Sequence, residues 1–475
     1  MKTTFVFITI AFFGLTLCGS LSAQEKWSLE RCINYALEHN IQVKQQDLSS
    51  QVAKNTLLQS KAAFVPSLNG SASQNYSFGR SIDYFTNEFS TDKVRSNNFS
   101  INASLPLFEG FQRLNTVEKN RYDLQASMSD LEKMKNDISL NIAAAFLQIL
   151  FSEELLGIAR NQLEITRQQV ERTGKLVEAG SLAQGNLLEV QAQAAGEELQ
   201  VVTSQNQLDI SYLNLVQMLD LDSTFDFRIE NPVLSEITDN EKIRPAGSVY
   251  QEALATLPQV KSSEYKLKSS EKDLSIARGA YLPRLSLNAS YYTGYSDART
   301  RTVPSEQPES QLIGYTTEGA AVYSIPMYGY VNENYPFTDQ LKDNAYKSVG
   351  FNLTVPIFNN LQVRNAVSNA KIGLLNANYQ LETTKKNLYK EIQQAEADAT
   401  AALKKYYATE KSVSALEESF RYTRQKFDVG MVTSVDFNMA KNNLTKAKSD
   451  MLQAKYEYIF KLNVLEFYRG NPLRL

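Results

Sequence analysis

Residues that carry most enzyme and metal chemistry are few in this chain and do not cluster. His39 is the only histidine among 475 residues, so histidine-rich zinc motifs and the usual nucleophile–histidine triads have no basis here. The eight methionines are scattered, which gives no support to a soft-metal relay. Without Cys18, which lies in the N-terminal apolar segment, Cys32 is a lone thiol with no companion for a disulfide or a metal site. The expected role of Cys32 is that of a small buried apolar residue.

A glycine–lysine pair and two acidic pairs are the other candidate catalytic motifs, and each lacks a feature that phosphate binding or acid–base catalysis requires. Gly174-Lys175 resembles the end of a phosphate-binding loop, but Leu176 follows where Ser or Thr is needed. The acidic pairs Glu153-Glu154 and Glu417-Glu418 lie on predicted helix surfaces, where solvated charge is the ordinary state. We therefore predict no catalytic residue, no metal site and no cofactor, and we do not expect an enzyme.

The N-terminus is typical of an exported precursor. A lysine at position 2, an apolar run over residues 5–17 and the cleavage site Leu21-Ser22-Ala23 predict a signal peptide over residues 1–23. Lipidation of Cys18 is disfavoured, because a large leucine precedes it. No later segment approaches 18 apolar residues, so no transmembrane helix is expected. The net charge is −3 and there is no basic block, so no nucleic-acid partner is expected.

The second half of the chain repeats the first half in order. The offset between matched residues is 217 at the first matched proline and 250 at the later matches. The matched pairs are Pro66 with Pro283, Pro106 with Pro356, and Gly180 with Gly430. A period above 200 residues indicates one architectural unit used twice rather than a solenoid of short units. We place the two repeats at residues 24–235 and 236–475.

Each repeat contains a predicted β-hairpin, over about residues 66–108 and about residues 283–358. Proline ends the preceding helix, and apolar residues then alternate with small polar ones, as in a strand with one apolar face. Each strand has the ten or so residues that a tilted strand needs to cross a bilayer. A half-buried sheet in a soluble protein is the alternative, but aromatic residues near the strand ends favour a membrane. A long loop is expected over about residues 297–346.

A long helix follows each hairpin, over about residues 110–178 and about residues 361–428. Apolar residues recur every seven positions in both helices, which predicts coiled-coil packing. The first row is Ile142, Ile149, Leu156, Leu163, Val170 and Val177, and the second is Ile392, Ala399, Tyr406, Val413, Phe420 and Phe427. An ordinary cytosolic coiled coil would explain these helices but not the hairpins. Each long helix ends at a glycine, Gly180 or Gly430, which predicts a turn into an antiparallel helix.

This order of elements resembles the outer membrane efflux duct family, the TolC-like proteins, over about residues 27–470. Helix, proline, hairpin, proline, long helix, glycine turn and helix follow one another twice. The matching words are Phe64-Val65-Pro66-Ser67-Leu68 and Tyr281-Leu282-Pro283-Arg284-Leu285 at strand entry, Leu105-Pro106-Leu107-Phe108 and Val355-Pro356-Ile357-Phe358 at strand exit, and Lys426-Phe427-Asp428-Val429-Gly430 with Asp436 at a turn. The four prolines Pro66, Pro106, Pro283 and Pro356 would mark the transitions between strands and helices.

The number of predicted strands in each chain limits how many chains can form a closed barrel. Four strands cannot close a barrel, and open sheet edges are not tolerated in lipid, so several copies must pool their strands. Two copies give eight strands and a barrel filled by side chains, whereas three give twelve strands and a lumen. The resemblance implies three. The expected fold is therefore mainly α with a membrane β portion: a trimeric α-barrel of long coiled-coil helices joined to a twelve-stranded β-barrel, with four strands per chain.

The resemblance also implies roles for residues near the two glycine turns. In the family, acidic residues six and nine positions after the second turn glycine ring the periplasmic aperture. Those positions hold Asp436 and Met439 here, and the matching positions of the first repeat hold Asn186 and Glu189. One acidic ring is therefore expected and the second is absent. A solvated helix face near a turn is the alternative for all four residues.

The same resemblance implies function and partners. It predicts a passive exit duct in the outer membrane of a Gram-negative bacterium, extending into the periplasm and serving tripartite efflux or type I secretion. Partners would be two further copies, outer membrane lipid, a periplasmic adaptor and an inner-membrane pump of the RND, MFS or ABC class. The adaptor would dock around residues 179–183 and 429–433, which include Gly180, Gly430 and Val432. A periplasmic coiled-coil scaffold or adaptor without a pore is the alternative.

The resemblance also bears on Phe427 and Val432, which lie near the second glycine turn. Phe427 takes the place of an aromatic residue that helps to hold the mouth closed in relatives, although a position in the coiled-coil seam explains it equally well. Val432 stands where some relatives have an arginine that locks the turn, so that lock is expected to be missing or different.

Overall fold

A computed structural model describes residues 26–82, 87, 89–90, 93–222, 227–232, 237 and 243–473 of the chain. The predicted signal peptide and the predicted boundary between the repeats at 235/236 lie outside the described residues.

The first half contains four helices and four strands in its described part. They are α1 (Leu29–His39), α2 (Ile41–Ala62), β1 (Ser67–Ser77), β2 (Ser81–Ile82), β3 (Phe89–Ser90), β4 (Val94–Glu109), α3 (Gln112–Glu178) and α4 (Gln184–Met218). Ser28 caps α1 by accepting a hydrogen bond from the Arg31 N–H at 3.3 Å. Helix α2 ends four residues before Pro66, whose ring and missing N–H prevent further helix.

The second half repeats this order with one elaboration. Its elements are α5 (Ala246–Thr256), α6 (Pro258–Gly279), β5 (Arg284–Ser296), β6 (Thr300–Glu309), β7 (Leu312–Tyr315), β8 (Ala321–Tyr323), β9 (Met327–Asn334), α7 (Phe337–Asp343), β10 (Tyr346–Thr354), α8 (Gln362–Asp428) and α9 (Ser434–Tyr468). The two long helices, α3 and α8, have 67 residues each.

The segment predicted as a long loop over residues 297–346 is structured, which corrects that expectation. Strands β6 and β9 pair with each other, β7 pairs with β8, and α7 precedes β10. Gln340 of α7 is fully buried and joins the end of β5 through its amide, which donates to Ser296 O at 2.9 Å and accepts from Ser296 N at 3.0 Å. Apolar and polar residues alternate when one face of a strand is buried, and nearly all residues of β6 to β9 are exposed, so period-two patterning is weak in this segment.

The four long strands form one antiparallel sheet in the order β1-β4-β5-β10. The central pair, β4 with β5, joins the hairpins of the two halves, and Ala103 lies opposite Ala289. The register shifts between Pro106 and Phe108, where proline cannot donate a ladder hydrogen bond. Within the described part of the chain, strands β1 and β10 each have one neighbour, so both edges of the sheet are open there.

The chain divides into two compact units that each combine segments of both halves. One unit consists of residues 1–54, 122–267 and 376–475, and the other of residues 55–121 and 268–375. The second unit contains the sheet. The first unit contains the main apolar cluster, in which Phe146 and Ile149 of α3 are at most 1% exposed.

The heptad rows predicted for α3 and α8 lie on buried or half-buried faces. Ile142, Ile149 and Leu156 are buried in the first row, and Ile392, Ala399 and Val413 in the second. Such a seam stabilises a helix that propensity alone would not hold at this length.

Helix α3 also corrects one expectation about composition. It includes an 18-residue window that is apolar enough, by length and composition, to cross a membrane, although no later segment was expected to come near this. Half of that window is buried inside the protein. A helix that packs against several neighbours in a core has the same composition.

Candidate functional site

The glycine turn after the first long helix has the geometry of a Schellman motif. Gly180 has a φ of +70°, a conformation that glycine adopts without a steric penalty. The Ser181 N–H donates to Leu176 O at 2.8 Å, and the Gly180 N–H donates to Val177 O at 2.9 Å. These two bonds satisfy carbonyls that would otherwise be left open at the end of α3.

The turn after the second long helix repeats this geometry. Gly430 has a φ of +78°, the Met431 N–H donates to Lys426 O at 2.8 Å, and the Gly430 N–H donates to Phe427 O at 3.1 Å. Both glycines therefore reverse the chain in the same way, as the repeat predicted.

The helices that leave the two turns begin differently. Helix α9 starts with a capping box, in which the Thr433 side chain accepts from the Asp436 N–H at 3.2 Å and the Asp436 carboxylate accepts from the Thr433 N–H at 3.2 Å. Helix α4 has Ala183 at the same position, with no side-chain cap. The Thr433 hydroxyl and then its N–H hold the pKa of Asp436 below the usual range. Asp436 is thus a structural cap as well as a candidate aperture residue.

The four candidate aperture residues lie in the first turns of α4 and α9. Asp436, Met439 and Glu189 are exposed, and Asn186 is half-buried. Glu189 accepts a hydrogen bond from the Ser434 hydroxyl at 2.8 Å, which joins the start of α4 to the start of α9. The structure therefore brings Glu189 close to the capping box that contains Asp436.

Phe427 packs in an aromatic cluster at the second turn. Its ring centroid lies 4.7 Å from that of Phe437, which is buried and also lies 5.3 Å from the ring of Phe420. These contacts join α8 to α9 and place Phe427 in the coiled-coil seam. Val432 is half-buried.

Sequence reasoning missed an ion pair that joins the two long helices near their ends. The Arg172 guanidinium pairs with the Asp428 carboxylate, donates to Asp428 O at 3.0 Å and lies 6.0 Å from the Phe427 ring centroid. No local signal predicts this pair, because its partners are 256 residues apart.

A buried polar cluster was also missed. Lys441 of α9 is 2% exposed, and its ammonium lies 3.0 Å from a carboxylate oxygen of Glu197 of α4 and contacts the hydroxyl of Thr166 of α3. Burial lowers the pKa of Lys441 and Glu197 opposes that shift. We call Thr166, Glu197 and Lys441 the polar node. The sequence did contain a signal for this cluster, because Lys441 lies between Phe437 and Leu444 in an apolar row of its helix, where a charged residue needs a buried partner.

The four transition prolines lie where strands meet other structure. Pro66 and Pro283 each immediately precede a strand, β1 and β5. Pro106 lies within β4, at the register shift, and Pro356 lies between β10 and α8. Gly110, which follows β4, and Gly279, which ends α6, approach each other so closely that a Cβ on Gly110 would lie 2.2 Å from Gly279 O.

The described part of the chain contains no group of three or more His, Cys, Asp or Glu residues arranged to hold a metal ion. The geometry near the turns consists of helix caps, ion pairs and packed aromatic rings. It is suited to holding two helical hairpins together.

Comparison with known proteins gives consistent results. The family model described as "Outer membrane efflux protein" matches residues 32–220 and 249–471. Outer membrane protein TolC of Escherichia coli is 22% identical over 458 residues, covering 95% of this chain and 84% of the relative. The solved structure of the outer membrane protein VceC of Vibrio cholerae has a TM-score of 0.72 at 16% identity, covering 94% of this chain and 97% of that one. The Campylobacter jejuni outer membrane channel CmeC gives 0.74 at 17% identity, covering 94% and 87%.

These matches confirm the predicted family, the predicted fold class and the outer membrane location. The family match spans both repeats, and the fold likeness spans nearly the whole chain. The chain belongs to the outer membrane efflux protein family.

Proposed function

We propose that this protein is a homotrimeric, passive exit duct of a tripartite efflux or type I secretion assembly. As a member of its family it is an outer membrane exit duct. The observation that carries the shared barrel is the sheet with two open edges, and the family resemblance implies three copies. The repeats at 24–235 and 236–475 rest on the matched prolines and glycines of the two halves.

The open edges of the sheet require further strands. Strands β1 and β10 lie at opposite edges of the sheet, and each has one neighbour among the strands that the structure describes. Backbone groups at an open edge find no partner in lipid, so a sheet in a membrane must close. Pairing β1 of one copy with β10 of the next closes the barrel, and three copies supply the twelve strands that leave a lumen.

The exposed strand residues support a membrane environment. Leu68 of β1 and Val349, Phe351 and Leu353 of β10 are each more than 60% exposed within one chain. A face of this kind is unfavourable in water and suited to acyl chains.

Helix α4 carries an apolar row that stays exposed in the described part of the chain. Leu188 and Val202 are 14 residues apart, as are Leu199 and Leu213, and all four are exposed. Spacing by two heptads places such residues on one stripe of a coiled coil. We assign this stripe to contact with a neighbouring copy.

The adaptor would contact the two glycine turns, as the family resemblance implies. Val429 and Met431 beside Gly430 are 71% and 77% exposed, and Leu182 beside Gly180 is 36% exposed. Apolar side chains this open at tight turns are suited to burial against a partner. An inner-membrane pump of the RND, MFS or ABC class would then deliver the substrate.

Asp436 would form one acidic ring at the mouth, while Met439 leaves the second ring without charge. Asp436→Asn is expected to lower the permeability ratio of cations to anions through the purified pore, because it removes one negative charge per subunit. Asp450→Asn is the matched control, since it makes the same charge change farther along α9, away from the proposed mouth, and should change the ratio less. An unchanged ratio in Asp436→Asn would restrict Asp436 to its capping role.

Assembly is tested by the mass of the protein purified in mild detergent. Three chains per particle, with a sheet signal in circular dichroism that is lost only on heating, are expected. A monomer without a heat-modifiable sheet would contradict the duct and support the coiled-coil scaffold.

A further inference from the structure

The polar node joins helices from both halves of the chain. Thr166 lies on α3 and Glu197 on α4, whereas Lys441 lies on α9. Its hydrogen bonds continue through Gln162, whose amide donates to Glu197 at 3.3 Å and accepts from the Thr445 hydroxyl at 2.5 Å. The node therefore connects the α3–α4 hairpin to the α8–α9 hairpin.

The equivalent layer of the second repeat is apolar. At the offset of 250, Thr166 and Glu197 correspond to Leu416 and Ala447. Ala447 packs there with Val413 and Leu444, and Leu416 contacts this cluster. A polar layer is therefore not needed to hold a hairpin of this kind, and the node belongs to the contact between the two hairpins.

The layer next to the node, one turn closer to the glycine turns, is poorly satisfied. The antiparallel register that pairs 162 with 445 and 166 with 441 continues to 169 and 438. Both residues are buried, yet the two side-chain amide atoms of Gln169 and the Oδ1 of Asn438 have no hydrogen-bond partner among the residues that the structure describes. Buried polar groups without partners are unfavourable, so water entering this layer would stabilise it.

Beyond that layer, two polar contacts between the hairpins are exposed. The Arg172 and Asp428 side chains are each 47% exposed, and Glu189 is exposed where it meets Ser434. Exposed pairs contribute little to stability and are readily exchanged for water. A buried ion pair is different, because separating it leaves an uncompensated charge in the core.

Each hairpin is also held together internally. Arg167 of α3 pairs with Glu198 of α4 at 2.8 Å in an exposed ion pair, and the ring of Phe420 packs against the buried ring of Phe437, which joins α8 to α9. Separation within the second hairpin would therefore break a buried aromatic contact, whereas the Arg172–Asp428 and Glu189–Ser434 contacts between the hairpins are already exposed.

We propose that the polar node is the pivot about which the two glycine turns of one subunit separate when the duct opens. The hairpins part on the turn side of the node, where Gln169 and Asn438 become hydrated, and stay packed on its other side. This inference rests on the proposed function, since it assigns the moving and fixed parts of that duct.

The test places one cross-link on each side of the node. The background is Arg172→Ala with Asp428→Ala, which removes the exposed ion pair and is expected to raise bilayer conductance. Glu189→Cys with Ser434→Cys lies on the turn side. Ile158→Cys with Ser449→Cys lies on the other side, where both residues line one cavity of about 270 Å³. Cys32 is buried with its pKa raised to about 12, so it does not compete for a thiol cross-linker.

After treatment with a short bis-maleimide, cross-linked trimers are confirmed by mass spectrometry and reconstituted. The turn-side cross-link is expected to lower conductance relative to the same cysteine variant before cross-linking, and the other cross-link to leave the conductance of its own variant unchanged. If both cross-links lower the conductance, or if neither cross-link lowers it, the node is not the pivot. A wild-type protein that forms no pore overturns the duct itself.

Hydrogen exchange gives a second readout that needs no cysteine. In the Arg172→Ala, Asp428→Ala protein, amides of residues 169–180 and 430–438 are expected to exchange faster than in the wild type. Amides of residues 155–166 and 441–452 are expected to keep their protection. Uniform loss of protection across both sets contradicts a pivot at the node.

Discussion

The guanidinium of Arg172 pairs with the carboxylate of Asp428 and donates to the main-chain oxygen of the same residue at 3.0 Å. It thereby joins the last turns of two 67-residue helices from opposite halves of the chain. The pair supplies a contact between the ends of the two helices.

Removing this pair should release the glycine turns. We predict that Arg172→Ala raises single-channel conductance in planar bilayers, because three copies of a weak restraint are lost from the mouth. An exposed pair contributes about 0–1 kcal/mol, so the trimer should remain folded. Lys175→Ala is the matched control, since its partner Glu171 lies on the same helix and both are at least 70% exposed. Equal conductance in the two variants would contradict the assigned role of Arg172.

The polar node should dominate local stability in the helical unit. Lys441→Met is predicted to lower the free energy of unfolding by about 3–5 kcal/mol, because Glu197 is left buried without its counter-charge. Adding Glu197→Gln should recover most of that loss. Denaturant unfolding followed by the helical signal measures both effects.

An exposed lysine on the same helix provides the control for that experiment. Lys448 pairs with Glu417 at 2.6 Å and is 40% exposed, so Lys448→Met should cost no more than about 1 kcal/mol. If Lys441→Met were equally mild, Lys441 would not be an important buried ion-pair partner.

Much of this architecture was predictable from the chain because its signals are local. Proline and glycine positions marked the ends of helices, and the heptad rows marked the seams of α3 and α8. The family resemblance then identified the fold class. These features depend on residues close together in sequence, or on the repeat, which makes one half a guide to the other.

The contacts that hold the turns together were not predictable in the same way. Arg172 meets Asp428, and Glu197 meets Lys441, only after both hairpins have folded and packed. The strands β6 to β9 were missed for another reason, since they are exposed on both faces and so lack the apolar/polar alternation of a half-buried strand. Asp436 was identified by position, but its capping bond to Thr433 required the geometry of the helix start.

The second glycine turn tolerates no side chain without strain. Gly430→Ala is predicted to destabilise the end of α8 by about 1–2 kcal/mol, because its φ of +78° is unfavourable for an L-residue with a Cβ. Gly174→Ala is the control, because Gly174 lies inside α3 with open space around it and should gain up to about 1 kcal/mol. Thermal unfolding of the two variants should therefore shift in opposite directions, and a shared direction would contradict the turn geometry.

The close approach of Gly110 and Gly279 should be essential for the sheet. Gly110→Ala is predicted to abolish the heat-modifiable sheet signal, because a Cβ there meets Gly279 O at 2.2 Å and the backbone has a φ of +59°. Gly70→Ala in β1 meets nothing closer than 3.9 Å and should retain the signal. A folded, sheet-containing Gly110→Ala protein would refute this packing.

The central claim is that three copies share one wall around a water-filled passage. Single-channel recording of the purified wild-type protein in a planar lipid bilayer tests it most directly. Discrete conductance steps that increase on removal of Arg172 are predicted. A particle that inserts into the bilayer and carries no current, with Arg172 or without it, would contradict the claim.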